Sequence, residues 1–337
     1  MSVTRSNKAA VTVLGAGAWG TALAVVLARG GCAVRLGVRR ESQLAALQLD
    51  RENRAYLPGV QLPPQLQMVD MSAGSIHDAD AVVMAIPSSF ARSMLQRLAS
   101  AMPQKAALIS VSKGIETDSL MAMSQMLAEL APPAGRIAVL SGPGFAREIA
   151  LGKPSALVAA AHSEATAMRV QNLFAAKPLR VYRSLDVMGV ELGGASKNVI
   201  AIAAGISDGL ALGSGARAAL ITRGLAEMMR LAPPAGAKQE TLAGLAGLGD
   251  LVLTCTGELS RNRRLGLTLG RGEPVVQPAE GASIAEGVSN ARAIVRLAQR
   301  HSVEIPISSA VYRILYEAAS PGAMVEELLG RELKAEF

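Results

Sequence analysis

Val11-Thr12-Val13-Leu14-Gly15-Ala16-Gly17-Ala18-Trp19-Gly20 joins a β-branched apolar run to a G-x-G-x-x-G pattern, and the residues after it, to Arg29, have the composition of a helix. In a strand–turn–helix unit the first glycine permits a tight turn and the second lets the backbone approach a pyrophosphate. The third allows the helix to close on the strand, while the helix N-terminus presents donors and positive potential. Gly15, Gly17, Ala18, Trp19 and Gly20 are therefore expected to hold a dinucleotide. The alternative is a glycine-rich turn that only packs a βα unit.

Outward from this unit, Ala33–Val38, Ala81–Ile86, Ala107–Val111 and Ile137–Ser141 read as further buried strands separated by amphipathic segments. That alternation predicts an α/β fold, a doubly wound Rossmann-type domain whose parallel sheet is covered on both faces and binds ligands at its strand C-termini. Ala156–Ala160 and Leu179–Tyr182 flank a helical Glu164–Leu173 and extend the sheet. After about Val187 the strand signal fades, and Val190–Ala204, Arg217–Leu231, Arg261–Gly270, Ala291–Arg300 and Ser308–Ala318 all read as helix. A length of 337 residues also favours two domains. The expected division is a dinucleotide-binding domain over 1–189 and a mostly α-helical, substrate-binding and catalytic domain over 190–337, with a cleft between them.

Composition narrows the partners. The chain carries a formal charge of +7, which favours anionic ligands, yet no basic block interleaved with aromatics is present, so no nucleic acid is expected. Cys32 and Cys255 are few and far apart, which fits a reducing, cytoplasmic setting, and His77, His162 and His301 show no metal-ligand spacing, so no metal is expected. The uncharged Ala9–Ala28 imitates a signal peptide, but Gly15, Gly17, Gly20 and Thr21 divide it into strand and helix. No other uncharged run approaches the ~20 apolar residues of a membrane helix, so no membrane insertion is expected.

Several strand ends carry candidate ligand groups. Arg39 and Arg40 stand roughly 20 residues past the glycines, where an acid would select a ribose 2′-hydroxyl and arginine a 2′-phosphate. They favour NADPH over NADH; two solvated arginines opening a helix are the alternative. Ser112-Lys113-Gly114 and Ser141-Gly142-Pro143-Gly144 open into the same cleft, with Lys113 a point charge and Gly142 and Gly144 allowing close approach. Pro87, in Ile86-Pro87-Ser88, marks a cofactor-facing turn.

The helical half carries the strongest chemistry. In Glu191-Leu192-Gly193-Gly194-Ala195-Ser196-Lys197-Asn198 a lysine follows two glycines on a helix that is apolar nearly all round. Burial would lower the Lys197 pKa and a nearby carboxylate would raise it, the balance that tunes a general acid–base. A snorkelling lysine is the alternative. Asp250 lies in the apolar run Gly247–Thr256 and needs a cation or several donors. Ser260 is a plausible N-cap, and Arg261 and Asn262 in the following first turn make an anion site. Cys255 reads as packing rather than nucleophile.

Together these segments, with Asn53-Arg54-Ala55-Tyr56-Leu57-Pro58, resemble the bacterial type of the NAD(P)-dependent glycerol-3-phosphate dehydrogenase family, from Val11 to about Arg331. The resemblance implies reversible reduction of dihydroxyacetone phosphate to sn-glycerol 3-phosphate, feeding phospholipid synthesis, with NADPH or NADH. It implies that Lys197, Asp250 and Lys113 form the catalytic set, with Lys197 exchanging the proton at the substrate C2 oxygen. Gly142, Gly144, Asn198, Thr254, Ser260, Arg261 and Asn262 then surround a small phosphorylated substrate, together with the same Lys113, Lys197 and Asp250. Ala18, Trp19, Arg39, Lys113, Ala146, Arg261, Ile284 and Glu286 fall where the family contacts cofactor. Gly144 stands where the family usually has Ser or Thr, and Ala18 where Ser is frequent. A homodimer is the oligomer considered.

Overall fold

The computed structural model describes residues 9–131, 134–176, 178–274, 285–333 and 335–336. Among them, eight strands form one sheet: β1 (Ala10–Leu14), β2 (Ala33–Val38), β3 (Gln67–Asp70), β4 (Ala81–Met84), β5 (Ala107–Ser110), β6 (Ile137–Ser141), β7 (Ser155–Ala161) and β8 (Leu179–Ser184). Their spatial order is 3-2-1-4-5-6-7-8. The first six run parallel, but β7 pairs antiparallel with β6 and carries β8 parallel to itself. The expectation of a parallel sheet thus holds for six strands and is corrected at this edge. β3 escaped the sequence reading because Gln67-Met68-Val69-Asp70 is short and polar at both ends.

The near-continuous apolar strands follow from two-sided burial. Val83 and Ile109 point into one core with Val13 and Leu23, while their neighbours Val82, Met84 and Leu108 point into another with Leu95 and Leu127. Helices α1 (Ala18–Arg29), α2 (Glu41–Asp50), α3 (Ser88–Leu98), α4 (Met123–Leu130), α5 (Ala146–Ala150) and α6 (Glu164–Phe174) accompany these strands. The strand order reverses between β1 and β4, which is where a doubly wound sheet opens its ligand crevice.

The remaining chain is helical: α7 (Val187–Gly209), α8 (Gly213–Leu231), α9 (Gln239–Ala243), a π-helical turn Leu245–Gly249, α10 (Asp250–Thr256), α11 (Arg261–Gly270), α12 (Gly287–Arg300), α13 (Pro306–Tyr316) and α14 (Pro321–Leu329). These helices build a separate core around Val199, Ile200, Leu251, Ile294 and Val311. α7 is its axis. It is long and apolar enough to cross a membrane, yet 94% of its most apolar window is buried by protein, which marks a core helix. Asp186 caps it by accepting from the Gly189 N–H at 2.9 Å.

α11 lies directly on α7, backbone against backbone. A Cβ at Gly205 would sit 2.0 Å from the Arg263 carbonyl oxygen, and one at Gly266 would sit 2.0 Å from that of Ile202. Gly209 and Gly270 repeat the contact one turn on. Asp208 adds a clamp, its carboxylate 2.6 Å from Arg263 and 2.9 Å from Arg217. The N-terminus of α11 is thereby fixed relative to the lysine-bearing turn of α7.

Candidate active site

At the reversal between β1 and β4 the loops that follow both strands touch. Gly15 adopts φ +112°, and a Cβ there would lie 2.4 Å from the Ala85 oxygen, so only glycine fits. Gly17, the N-cap residue of α1, has no side-chain cap and nothing within 4 Å of where its Cβ would stand. The first-turn N–H groups, including those of Ala18 and Trp19, face this open space, which fits a pyrophosphate. Gly20 lets the helix close on the turn, since its Cβ would be 2.0 Å from the Gly15 oxygen. Asn53 braces the loop from behind, donating to the Ala16 carbonyl at 3.0 Å and to the Thr21 hydroxyl at 2.7 Å. Sequence reasoning quoted Asn53 only as part of a motif and missed this brace.

Arg39 is exposed at the end of β2, and Arg40 begins α2 with its guanidinium donating to the Tyr56 hydroxyl at 3.0 Å. The pair follows β2, the strand next to β1, and among the described residues makes no hydrogen bond or ion pair with the cluster described next. Pro87 is the N-cap residue of α3, after β4, and Ala146 opens α5, after β6. Ile284 lies outside the described residues.

The chemical centre lies where α7 and α10 meet the loop after β5. Lys197 is only 6% exposed and Asp250 1%. The Lys197 ammonium donates to Asp250 Oδ1 at 3.1 Å and to the Thr254 hydroxyl at 2.7 Å. From the opposite side Lys113 donates to Asp250 Oδ2 at 2.6 Å and to the Gly142 carbonyl at 2.9 Å. Thr254 lies one turn beyond Asp250 on α10 and donates to the Asp250 carbonyl at 2.6 Å. The carboxylate in this apolar run is thus paired twice.

The electrostatics follow from this packing. Desolvation pushes Lys197 down to about 8, with Lys113 adding repulsion, while Asp250 and Glu286 pull in the other direction. Desolvation opposes the charge on Asp250, but the two ammoniums and their hydrogen bonds outweigh it and hold the carboxyl below its usual range. Cys255 beside them is pushed up to about 12 by burial, so its thiol is inert packing.

A chain of amides leads to the third element. Asn198, next to Lys197, donates to the Lys113 carbonyl at 3.1 Å and accepts from Asn262 at 2.8 Å. Ser260 caps α11 by accepting from the Arg263 N–H at 3.2 Å, as expected. Arg261 stands at the head of α11; desolvation lowers its pKa and Glu286 opposes the shift. Glu286, immediately before α12, is raised by burial against the pull of Arg261, Lys197 and Lys113. The structure therefore gathers Lys113, Gly142, Asn198, Thr254, Asn262, Arg261 and Glu286 around Lys197 and Asp250.

Trp19 links the glycine loop to this cluster, its ring centroid 5.5 Å from the Lys113 ammonium. Gly144 sits against this ring: a Cβ there would lie 3.5 Å from the Trp19 ring and 2.6 Å from Ile149 Cδ1, the movable end of a side chain. Asn290 was missed altogether. It is a fully buried polar residue on the apolar face that Ile294, Leu297 and Ala298 form on α12, and that interruption is the signal that could have revealed it.

Models of the NAD-dependent glycerol-3-phosphate dehydrogenase N-terminus and C-terminus match residues 10–167 and 186–326. Glycerol-3-phosphate dehydrogenase [NAD(P)+] of Geobacter sulfurreducens is 49% identical over 97% of this chain and 98% of its own length. The crystal structure of glycerol-3-phosphate dehydrogenase from Coxiella burnetii superimposes with a TM-score of 0.89 at 40% identity, covering 96% of this chain and 99% of that one. A PanE/ApbA family ketopantoate reductase from Ralstonia eutropha, at 18% identity and a TM-score of 0.63, covers 94% of this chain and 99% of its own, and shares the fold alone. With both halves of the chain matched and the paired lysines at its centre, the chain belongs to the NAD-dependent glycerol-3-phosphate dehydrogenase family.

Proposed function

We propose that the chain reduces dihydroxyacetone phosphate to sn-glycerol 3-phosphate, reversibly, and prefers NADPH to NADH. The observation that carries this reading is the buried Lys197, held by Asp250 and Thr254, with Trp19 of the glycine loop 5.5 Å from the Lys113 that shares Asp250. When bound, the nicotinamide cofactor supplies the hydride to C2 of the ketone. The protein has to orient the substrate, hold two anions and deliver one proton.

Lys197 is the proton donor at the C2 oxygen. Two of its three N–H bonds meet Asp250 and Thr254, which leaves the third for the ketone. Asp250 fixes that direction, and Lys113 balances the carboxylate so that a net positive charge faces the developing alkoxide. Arg261 and Asn262, with the N-terminus of α11 that Ser260 caps, hold the phosphate. Asn198, Gly142 and Gly144 complete the substrate wall.

On the cofactor side Gly15, Gly17, Ala18, Trp19 and Gly20 hold the pyrophosphate, and Arg39 and Arg40 hold a 2′-phosphate. Pro87, Lys113, Ala146, Arg261 and Glu286 line the remainder. Residues 1–189 then form the cofactor unit and 190–337 the substrate unit of a cytoplasmic enzyme that supplies phospholipid synthesis, with a homodimer as its candidate assembly. Following cofactor absorbance with dihydroxyacetone phosphate, in parallel with NADH and NADPH, tests the reading. Substrate-dependent oxidation, faster with NADPH, is the expected result; no consumption of either cofactor overturns it.

A further inference from the structure

Asn290 lies in the first turn of α12 and has no exposed surface. Its side-chain amide donates to the Lys113 carbonyl at 2.8 Å and to the Ala195 carbonyl of α7 at 3.1 Å. The Lys113 carbonyl has two lone pairs, and Asn198 donates to it from the other side at 3.1 Å. Asn198 in turn accepts from Asn262 of α11, and Asn262 accepts from the Gly287 N–H at 3.0 Å, back in the first turn of α12. The amides form a closed circuit through α12, α11, α7 and the irregular loop after β5. That loop has no sheet or helix ladder of its own at Lys113, so this circuit supplies what regular structure does not.

We propose that Asn290 is a positioning residue for the reaction: by holding the Lys113 carbonyl it keeps the Lys113 ammonium on Asp250 and so sets how that carboxylate is shared with Lys197. The inference rests on Lys197 as the proton donor. Both contacts that Asn290 makes toward the site come from its amide nitrogen. Placing an amide on an otherwise apolar stripe of α12 costs stability unless both carbonyls need it. The stem of Lys113 is long and rotatable, so its ammonium has a fixed reach to Asp250 and Gly142 only while the backbone at its root is anchored, and the Asn290 and Asn198 amides are that anchor.

The groups that face Lys197 are Asp250 and Cys255 on α10, Lys113 after β5 and Glu286 before α12. If Lys113 withdraws, Lys197 loses a repelling neighbour and takes a larger share of Asp250. It then keeps its proton to higher pH. The experiment compares Asn290→Ala with the full-length wild type, using kcat/KM for dihydroxyacetone phosphate against pH and thermal melts to correct for folded fraction. Asn290→Ser replaces the alanine variant if the latter is recovered poorly. Ser308→Ala, which removes a buried hydrogen bond to Glu227 away from the cleft, is the stability control.

The expected result is a fall of about 10–100-fold in turnover, the scale of a displaced catalytic group, with the basic limb moved to higher pH. An unmoved limb, with a loss matching that of Ser308→Ala, overturns the proposal and leaves Asn290 a packing residue. Lys197→Met run in parallel separates the two readings: near-normal turnover there rejects the proton donor itself, whatever Asn290 does.

Discussion

Asp250 and Lys197 meet at 3.1 Å through carboxylate Oδ1, while the other oxygen of the same group lies 2.6 Å from Lys113. One carboxylate between two ammoniums leaves a positive charge in a dry site, the sign that a phosphorylated ketone and its alkoxide require. Removing either member alters the other two, because each is the partner of a buried charge.

Proton delivery from Lys197 gives the two directions opposite pH dependences. Desolvation pushes this lysine down to about 8. Ketone reduction needs the protonated form, so its kcat/KM should be level below about 8 and fall as pH rises through that value. Oxidation of glycerol 3-phosphate needs the neutral amine and should rise over the same interval. Lys197→Met should lose both limbs and at least ~10²–10⁴-fold in turnover, with cofactor binding little changed. Parallel limbs in the two directions would exclude a single group serving as acid and base.

Asp250→Asn should be severe, and its pH signature is specific. Asp250 raises the Lys197 pKa and Lys113 lowers it, so loss of the carboxylate removes the main counterweight to burial and repulsion and leaves only the weaker pull of Glu286. The basic limb of reduction should move to lower pH, opposite to the shift expected for Asn290→Ala. Leaving buried charges without their partner typically costs about 3–5 kcal/mol, so the melting temperature should fall as well. A thermal defect with an unmoved limb would make Asp250 purely structural.

Gly266→Ala tests the contact that carries Arg261 and Asn262 to the site. The added methyl would stand 2.0 Å from the Ile202 carbonyl oxygen, which belongs to helix backbone and cannot swing away. Overpacking of this kind costs about 1–3 kcal/mol. Because α11 must move, KM for dihydroxyacetone phosphate should rise while the Kd for the cofactor changes less. Steady-state kinetics with a melt on the same sample checks both.

The glycine loop and the parallel strands were legible because their residues report local needs. Gly15 occupies a positive φ that other residues avoid, and Val82 to Met84 are apolar throughout because both sheet faces are covered. Lys197 and Asp250 were legible as charges in apolar surroundings, each requiring a partner. That each was the other's partner was not, since 53 residues separate them and nothing local encodes the crossing of α7 and α10. The antiparallel turn into β7 was hidden for a similar reason, as Ala156–Ala160 is equally apolar in either direction. Asn290 carried only the faint signal of a polar residue on an apolar face.

Arg39 and Arg40 differ in their surroundings, and the difference sharpens their test. Arg40 already donates to Tyr56, whereas Arg39 is exposed at the end of β2. Arg39→Ala should therefore weaken NADPH more than Arg40→Ala does, with NADH little affected by either. Titration of both cofactors against the single and double variants measures this. Unchanged discrimination in the double variant would reject selection of the 2′-phosphate by this pair.

Arg261 heads α11, where a cation opposes the helix dipole unless an anion joins it. Glu286 supplies part of that compensation, but burial holds Glu286 above its usual range and weakens it as a permanent counter-charge. A substrate phosphate completes the balance. A charge-assisted hydrogen bond is worth about 1.5–3 kcal/mol, so Arg261→Ala should lower kcat/KM roughly 10–100-fold. Arg261→Lys restores charge without the planar fork and should recover only part of the loss. The decisive comparison is with dihydroxyacetone, the same ketone lacking its phosphate, which is a poor substrate for any enzyme that binds through that group. If Arg261 acts on the phosphate, the variant is penalised far more with dihydroxyacetone phosphate than with dihydroxyacetone. Equal penalties would place its action on the cofactor or on the integrity of α11, and the melting temperature of the variant distinguishes those two.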